Sequence, residues 1–150
     1  MGAEPYYYFV DYNSDIDVAL QELREREFEA GRYNPVIRSL YSLFPIGPES
    51  PAPGAQHESI EEALEDADAD GTRSILDLDH ISDEPDFGAA TRLPDEELEK
   101  LFKTTEPTHE MIEDKSGDLF ENIERGQGIY IVVYKEGEPD EIFFAGYSFD

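Results

Sequence analysis

The chain has 150 residues, of which 37 are acidic and 11 basic, so its formal net charge at pH 7 is −26. It contains no cysteine, which excludes disulfides, thiolate nucleophiles and cysteine-ligated metal sites. The negative charge repels nucleic-acid phosphates and anionic lipids, and no apolar run approaches the roughly 20 residues of a membrane-spanning helix. We therefore expect neither nucleic acid nor a membrane as a direct partner.

Hydrophobic residues make up 39% of the chain and cluster in short aromatic and β-branched runs, most clearly at 6–10 and 129–134. Such clustering favours a folded chain over disorder, and the length fits a single acidic globular domain over residues 1–150. The first residues have neither the basic region nor the apolar stretch of a signal peptide. Together with the absence of cysteine, this favours a cytoplasmic protein.

The N-terminal part predicts one strand and two helices. Aromatic residues between positions 6 and 12 favour a strand. Apolar residues at helical spacing predict a helix over about residues 15–30, and Gly31 suits its C-terminal end. A second, short helix is expected to begin at Pro35 and to stop by Pro45.

The middle of the chain opens with a loop rich in proline and glycine, near residues 45–58. Ser59 and Glu62 have the spacing of a capping box, which predicts a third helix over about residues 60–69. The run from Thr72 to Leu78 predicts a strand, whereas residues 80–91 are acidic and without a regular pattern.

The last third predicts three short helices and a hairpin. The helices are expected after Pro94, after Pro107 and over residues 118–124, and the hairpin strands at 129–135 and 141–149. Because both faces of the first hairpin strand are apolar, it should be a central strand. The predicted fold class is α+β: a small, mainly antiparallel sheet of three or four strands, with the C-terminal hairpin central and several short helices packed on it.

One local pattern matches the opening of a calcium-binding EF-hand loop. Asp66, Asp68 and Asp70 would be ligands 1, 3 and 5, followed by Gly71 at the sharp turn. Asp77 would stand at position 12, where a glutamate normally supplies a bidentate bond, and no amphipathic exit helix follows. The competing interpretation is an acidic helix end that passes through a glycine turn. No cofactor or other metal site is predicted.

The three histidines, His57, His80 and His109, lack the i, i+4 spacing of a helical metal site. No nucleophile elbow, phosphate-binding loop or dinucleotide motif is present, so the sequence favours a non-enzymatic protein. The alternative is an enzyme or small-ligand protein with its site beside the Pro/Gly-rich loop, because long ordered loops often carry function.

The negative charge is concentrated in the middle of the chain, where residues 51–100 hold 16 acids and 3 bases. This favours a protein-binding function in which an acidic face docks a basic protein partner. The predicted partner-facing residues lie on the third helix and in the acidic segment after it. They are Glu61, Glu62, Glu65, Asp66, Asp68, Asp70, Asp77, Asp79, Asp83, Glu84 and Asp86.

In charge and size, a domain of this type resembles bacterial immunity and antitoxin-like proteins, which neutralise basic nucleases. A related possibility is DNA mimicry, in which carboxylates take the place of phosphates on the surface of a DNA-binding protein. A third interpretation assigns the acidity to adaptation of the surface to high salt, with the function elsewhere in the molecule.

Overall fold

The computed structural model describes residues 5–34, 36, 51–67 and 71–148. The strands in these ranges are β1 (Pro5–Asp11), β2 (His80–Ser82), β3 (Ala89–Arg92), β4 (Gly128–Lys135) and β5 (Glu138–Tyr147). The helices are α1 (Ile16–Ala30), α2 (Ile60–Ala67), α3 (Asp95–Phe102), α4 (His109–Asp114) and α5 (Ser116–Phe120), together with a 3₁₀ turn at Ile75–Asp77. The predicted first strand, first helix and C-terminal hairpin are confirmed.

The five strands form one sheet in the order β1-β5-β4-β3-β2. Strand β5 runs antiparallel to both of its neighbours, whereas β4, β3 and β2 are parallel to one another. The α+β class is confirmed, and the C-terminal hairpin is central as predicted. The prediction of a mainly antiparallel sheet with three or four strands is wrong, because the sheet is mixed and has five.

Two segment predictions in the middle of the chain are wrong. The run from Thr72 to Leu78 is not a strand but contains the 3₁₀ turn, in which Ser74 Oγ accepts a hydrogen bond from the backbone N–H of Leu76 at 3.2 Å. Side-chain bonds of this kind compete locally with strand pairing. Residues 80–91, predicted to be irregular, hold β2 and most of β3, which have only three and four residues and are therefore too short to show an alternating pattern.

The sheet separates two hydrophobic cores, because successive side chains of a strand point to opposite faces. On one face, Tyr6 and Tyr8 of β1 pack with α1, α2 and the 3₁₀ turn. On the other face, Phe143 of β5 and Ile131 of β4 pack with α3, α4 and α5. The layers are therefore helix, sheet and helix, and α1 and α2 share one side of the sheet.

The predicted second helix and residues 45–50 of the Pro/Gly-rich loop lie outside the described residues, with the exception of residue 36. Residues 51–58 contain no helix or strand. They are nevertheless fixed to the end of α1, because the N–H groups of Gly54 and Ala55 donate to the carbonyls of Ala30 and Glu29, at 2.9 and 3.1 Å. None of the described helices has the length and apolar character needed to cross a membrane.

Candidate functional site

A groove of about 460 Å³ lies between α1 and α2. Helix α1 contributes residues 21, 24, 25 and 28, which share one side of the helix because side chains three and four positions apart are neighbours. Residues 58–61 and 64, in and just before α2, form the facing wall, and Asp79 also lines the groove. Ligand pockets in proteins typically enclose about 300–1,000 Å³, so the groove is large enough to bind a side chain or a short peptide segment.

The floor of the groove is apolar. Phe28 is 9% exposed, and its ring is stacked on the ring of Tyr33 with 5.7 Å between the centroids. Ile60 and Leu64 of α2 are half-buried and pack against the core on this face of the sheet. An apolar floor of this kind can take the aliphatic part of a bound side chain.

Four exposed carboxylates surround this floor: Glu25, Glu58, Glu61 and Asp79. The groove also contains the guanidinium of Arg24, which donates to Gln21 Oε1 at 2.9 Å and to the carbonyl oxygen of Leu76 at 3.2 Å.

Burial lowers the pKa of Arg24, and the charges of Asp79 and Glu25 oppose that shift. The guanidinium is thus buried and engaged within the chain, whereas the carboxylates face solvent and give the rim an excess of negative charge.

The groove brings together only Glu61 and Asp79 of the eleven predicted docking residues. Glu65 is exposed elsewhere on α2. Three further acids are exposed in the loop between β2 and β3, namely Asp83, Glu84 and Asp86. Asp68 and Asp70 lie outside the described residues. Of the predicted acids that the structure describes, two line the groove and these four are exposed outside it.

The other three predicted docking residues have partners within the chain. The N–H of Glu62 donates to Ser59 Oγ, so Ser59 caps α2 as the sequence predicts, and the Glu62 carboxylate accepts from the backbone N–H of Glu58 at 2.9 Å, one residue before the partner expected in a capping box. Asp66 pairs with His57 at 2.9 Å. Asp77 is turned into the chain, where its carboxylate accepts hydrogen bonds from neighbouring residues.

The Asp77 carboxylate closes the turn that begins at Thr72. It accepts from the backbone N–H and the hydroxyl of Thr72, at 2.9 and 2.7 Å, and from the N–H of Arg73 at 3.2 Å. Burial raises the pKa of Asp77, although these hydrogen bonds act in the opposite direction. Both described acids of the calcium-like loop, Asp66 and Asp77, are therefore bonded to other groups, and the described residues hold no group of three or more potential metal ligands.

The histidine nearest the Pro/Gly-rich loop belongs to a chain of hydrogen bonds. His57 Nδ1 lies 2.8 Å from the Tyr33 hydroxyl, and His57 Nε2 lies 2.9 Å from Asp66 Oδ2. Burial raises the pKa of Tyr33, and the Asp66 charge adds to the effect. A hydroxyl, an imidazole and a carboxylate in this order can activate a nucleophile. Tyr33 is 0% exposed, however, so its hydroxyl is not accessible to a substrate. The arrangement instead connects the loop to α2 and to the segment that follows α1.

The other two histidines lie at the surface beside carboxylates. His80 Nδ1 is hydrogen-bonded to the side chain of Asp79, which lines the groove. His109 lies on the opposite side of the sheet, between Glu141 and Glu113. Neither histidine is placed beside a nucleophilic side chain by these contacts.

Sequence reasoning missed the α1 half of the groove. Glu25 and Phe28 belong to a helix that is predicted correctly, but the concentration of charge in residues 51–100 points away from it. Glu22, Glu25 and Glu29 recur at intervals of three and four residues and mark one exposed acidic stripe on the helix, but Glu25 alone of the three lines the groove. The position of Glu58, just before the capped start of α2, gave no comparable signal.

Comparison of the chain with protein-family models, with curated proteins and with solved structures finds no match.

Proposed function

We propose that the chain binds a basic segment of a partner protein in the groove between α1 and α2. The observation that carries the proposal is the combination of an apolar floor with a rim of four exposed carboxylates. Lysine and arginine have the complementary form, an aliphatic stem that ends in a positive charge. The stem would lie on Phe28, Ile60 and Leu64, and the charged end would reach the rim.

The charge of the whole chain supports the same partner. At −26 the molecule attracts cationic proteins over a distance and accelerates their encounter, while it repels acidic ones. An immunity-like or inhibitor-like protein would use this attraction to capture a basic target. Within that class, the concave groove favours a protruding basic segment over DNA mimicry, because a mimic presents its carboxylates along a convex surface.

The test measures binding of a fluorescein-labelled peptide of alternating lysine and leucine, at physiological ionic strength. The double variant Glu25→Gln, Glu61→Gln removes two rim charges and should weaken binding about tenfold, the effect of losing two partly exposed ion pairs. A peptide with glutamate in place of lysine should show no binding to the wild-type protein.

A matched control is offered by α3, which packs on the other face of the sheet. Glu96 lies in the first turn of α3, as Glu61 does in α2, and Glu99 is exposed further along. The double variant Glu96→Gln, Glu99→Gln changes the net charge equally and should leave the affinity within about twofold, because the screening length is about 8 Å at this ionic strength. Equal weakening in both variants would show a general charge effect and contradict a groove site.

A further inference from the structure

A second cavity, of about 340 Å³, lies beside the carboxyl ends of β2 and β3. Asp83 follows β2, and Arg92 ends β3, so both come from the carboxyl ends of neighbouring parallel strands. Ile129, near the start of β4, pairs with Thr91 of β3, and both residues line the cavity. The cavity therefore lies where β2 and β3 end and β4 begins, beside α3 and the segment that precedes β4.

The lining carries charges of both signs. Arg92 is the cationic group, and Asp83 and Glu97 are the carboxylates. Arg92 donates through Nη2 to Asp95 Oδ1 at 2.8 Å, but both side chains are more than half exposed, and such pairs exchange readily with other partners.

The remaining wall is apolar. Leu93 and Ile123 are 7% and 9% exposed and belong to the core on the α3 side of the sheet, and Ile129 packs against them. Each of these side chains is held by the core, so the wall is preformed. A bound ligand would meet aliphatic surface on this side and charged groups on the other.

We propose that this cavity binds a small zwitterion, an α-amino acid with an aliphatic side chain. Arg92 would receive the carboxylate, Asp83 and Glu97 the ammonium group, and the wall of Leu93, Ile123 and Ile129 the side chain. The net charge of the protein disfavours a lone carboxylate, which is repelled at −26, whereas a molecule of zero net charge is not repelled. A guanidinium also matches a carboxylate in geometry.

The test compares three ligands that share one aliphatic skeleton. L-Leucine carries both charges, 3-methylbutylamine lacks the carboxylate and 4-methylpentanoate lacks the ammonium group. Backbone amide signals of Leu93, Ile123 and Ile129 are followed by nuclear magnetic resonance during titration. Leucine should move these signals and bind at least about tenfold more tightly than either analogue, since each analogue loses one charged hydrogen-bonding group. Leucine that moves none of them, or an analogue that binds as tightly, would overturn the proposal.

A pair of variants locates the site. Arg92→Gln removes the carboxylate partner and should weaken leucine binding about tenfold. Lys135→Gln removes the same charge at the far end of β4 and should leave the affinity unchanged. Equal affinities for leucine in the two variants would overturn the assignment to Arg92. This site and its probe are separate from the groove between α1 and α2, so either proposal can fail without the other.

Discussion

The carbonyl oxygen of Gly54 occupies the space that a Cβ atom on Gly31 would need, 2.2 Å from its ideal position. Gly31 ends α1 in the left-handed conformation, with φ of 75°. The chain after Pro53 crosses directly over this end, and the Gly54 N–H donates to the carbonyl of Ala30. A helix leaves its last carbonyls without intrahelical partners, so the loop supplies donors that the helix lacks.

Replacing Gly31 by alanine should therefore destabilise the fold strongly. Left-handed backbone costs an L-residue about 1–2 kcal/mol, and the clash is with backbone atoms that cannot rotate away. We expect Gly31→Ala to lower the free energy of unfolding by about 3 kcal/mol, measured by urea titration.

The matched control is Gly117→Ala in α5. Gly117 is exposed, and a Cβ atom there would meet no atom within 4 Å. This change should stabilise the protein by up to about 1 kcal/mol, because alanine is the better helix former. Similar unfolding midpoints for the two variants would contradict the close approach of the loop to α1.

A second prediction concerns the turn closed by Asp77. Asp77→Ala removes the acceptor of three hydrogen bonds and leaves the buried Thr72 N–H and hydroxyl without that partner. We expect a loss of about 3 kcal/mol in the free energy of unfolding. The exposed Glu84→Ala should change it by less than about 0.5 kcal/mol. If Asp77→Ala lowered the free energy of unfolding as little as Glu84→Ala, the Asp77 carboxylate would not be structural and would be available to a partner.

The predicted elements differ in how local their signals are. Helix α1 has apolar residues at helical spacing and a terminating glycine, and the β4-β5 hairpin has a turn between two apolar runs, so both could be read from neighbouring residues. The parallel pairing of β2 with β3 involves three residue pairs and depends on contacts with the rest of the sheet. No local pattern could have predicted it.

The two walls of the groove also differ in how far they could be predicted from neighbouring residues. Helix α2 and its Glu61 could be predicted because a capping box and a run of acids fall within a few residues of each other. The other wall of the groove depends on contacts between distant parts of the chain, such as the bond of 3.1 Å from Gln21 Nε2 to the carbonyl of Asp79, 58 positions away. Sequence spacing gives no information on such an approach, so half of the site required the structure.

A third prediction concerns the contribution of His109 to stability, which depends on pH. Its ring is stacked on Phe9 with 3.7 Å between the centroids, and Nδ1 lies 2.7 Å from Glu141 Oε1. Burial by itself lowers the pKa of His109, but the bond and charge of Glu141, assisted by Glu113, outweigh it and raise the pKa above 6.5. Protonated His109 therefore stabilises the fold through its carboxylate partners. This stabilisation is complete below pH 6.5, the pKa of an unfolded histidine, and is lost as the pH rises through the higher pKa of His109 in the folded state.

His109→Gln should accordingly destabilise the protein more at about pH 6 than at about pH 9, as read from urea titrations at the two pH values. The pH-dependent part should be small, about 0.5 kcal/mol, because His109 and its partners are partly exposed. In a Glu141→Gln background, the same histidine change should lose most of its pH dependence. A histidine effect that is constant with pH, or that grows towards pH 9, would contradict a protonated His109 in the fold.

The last prediction separates a binding groove from a surface that is acidic only for adaptation to salt. The affinity for the lysine–leucine peptide and the free energy of unfolding are both measured on the wild-type protein as the NaCl concentration rises from about 0.05 to 0.5 M. Over this range the screening length falls from about 14 to 4 Å. The affinity for the lysine–leucine peptide should fall, because salt screens the attraction to Glu25, Glu58, Glu61 and Asp79. The free energy of unfolding should rise modestly, because salt screens the self-repulsion of a chain at −26. A peptide affinity that is unchanged by salt, together with stability that rises steeply, would favour adaptation and remove the groove's carboxylates from the binding mechanism.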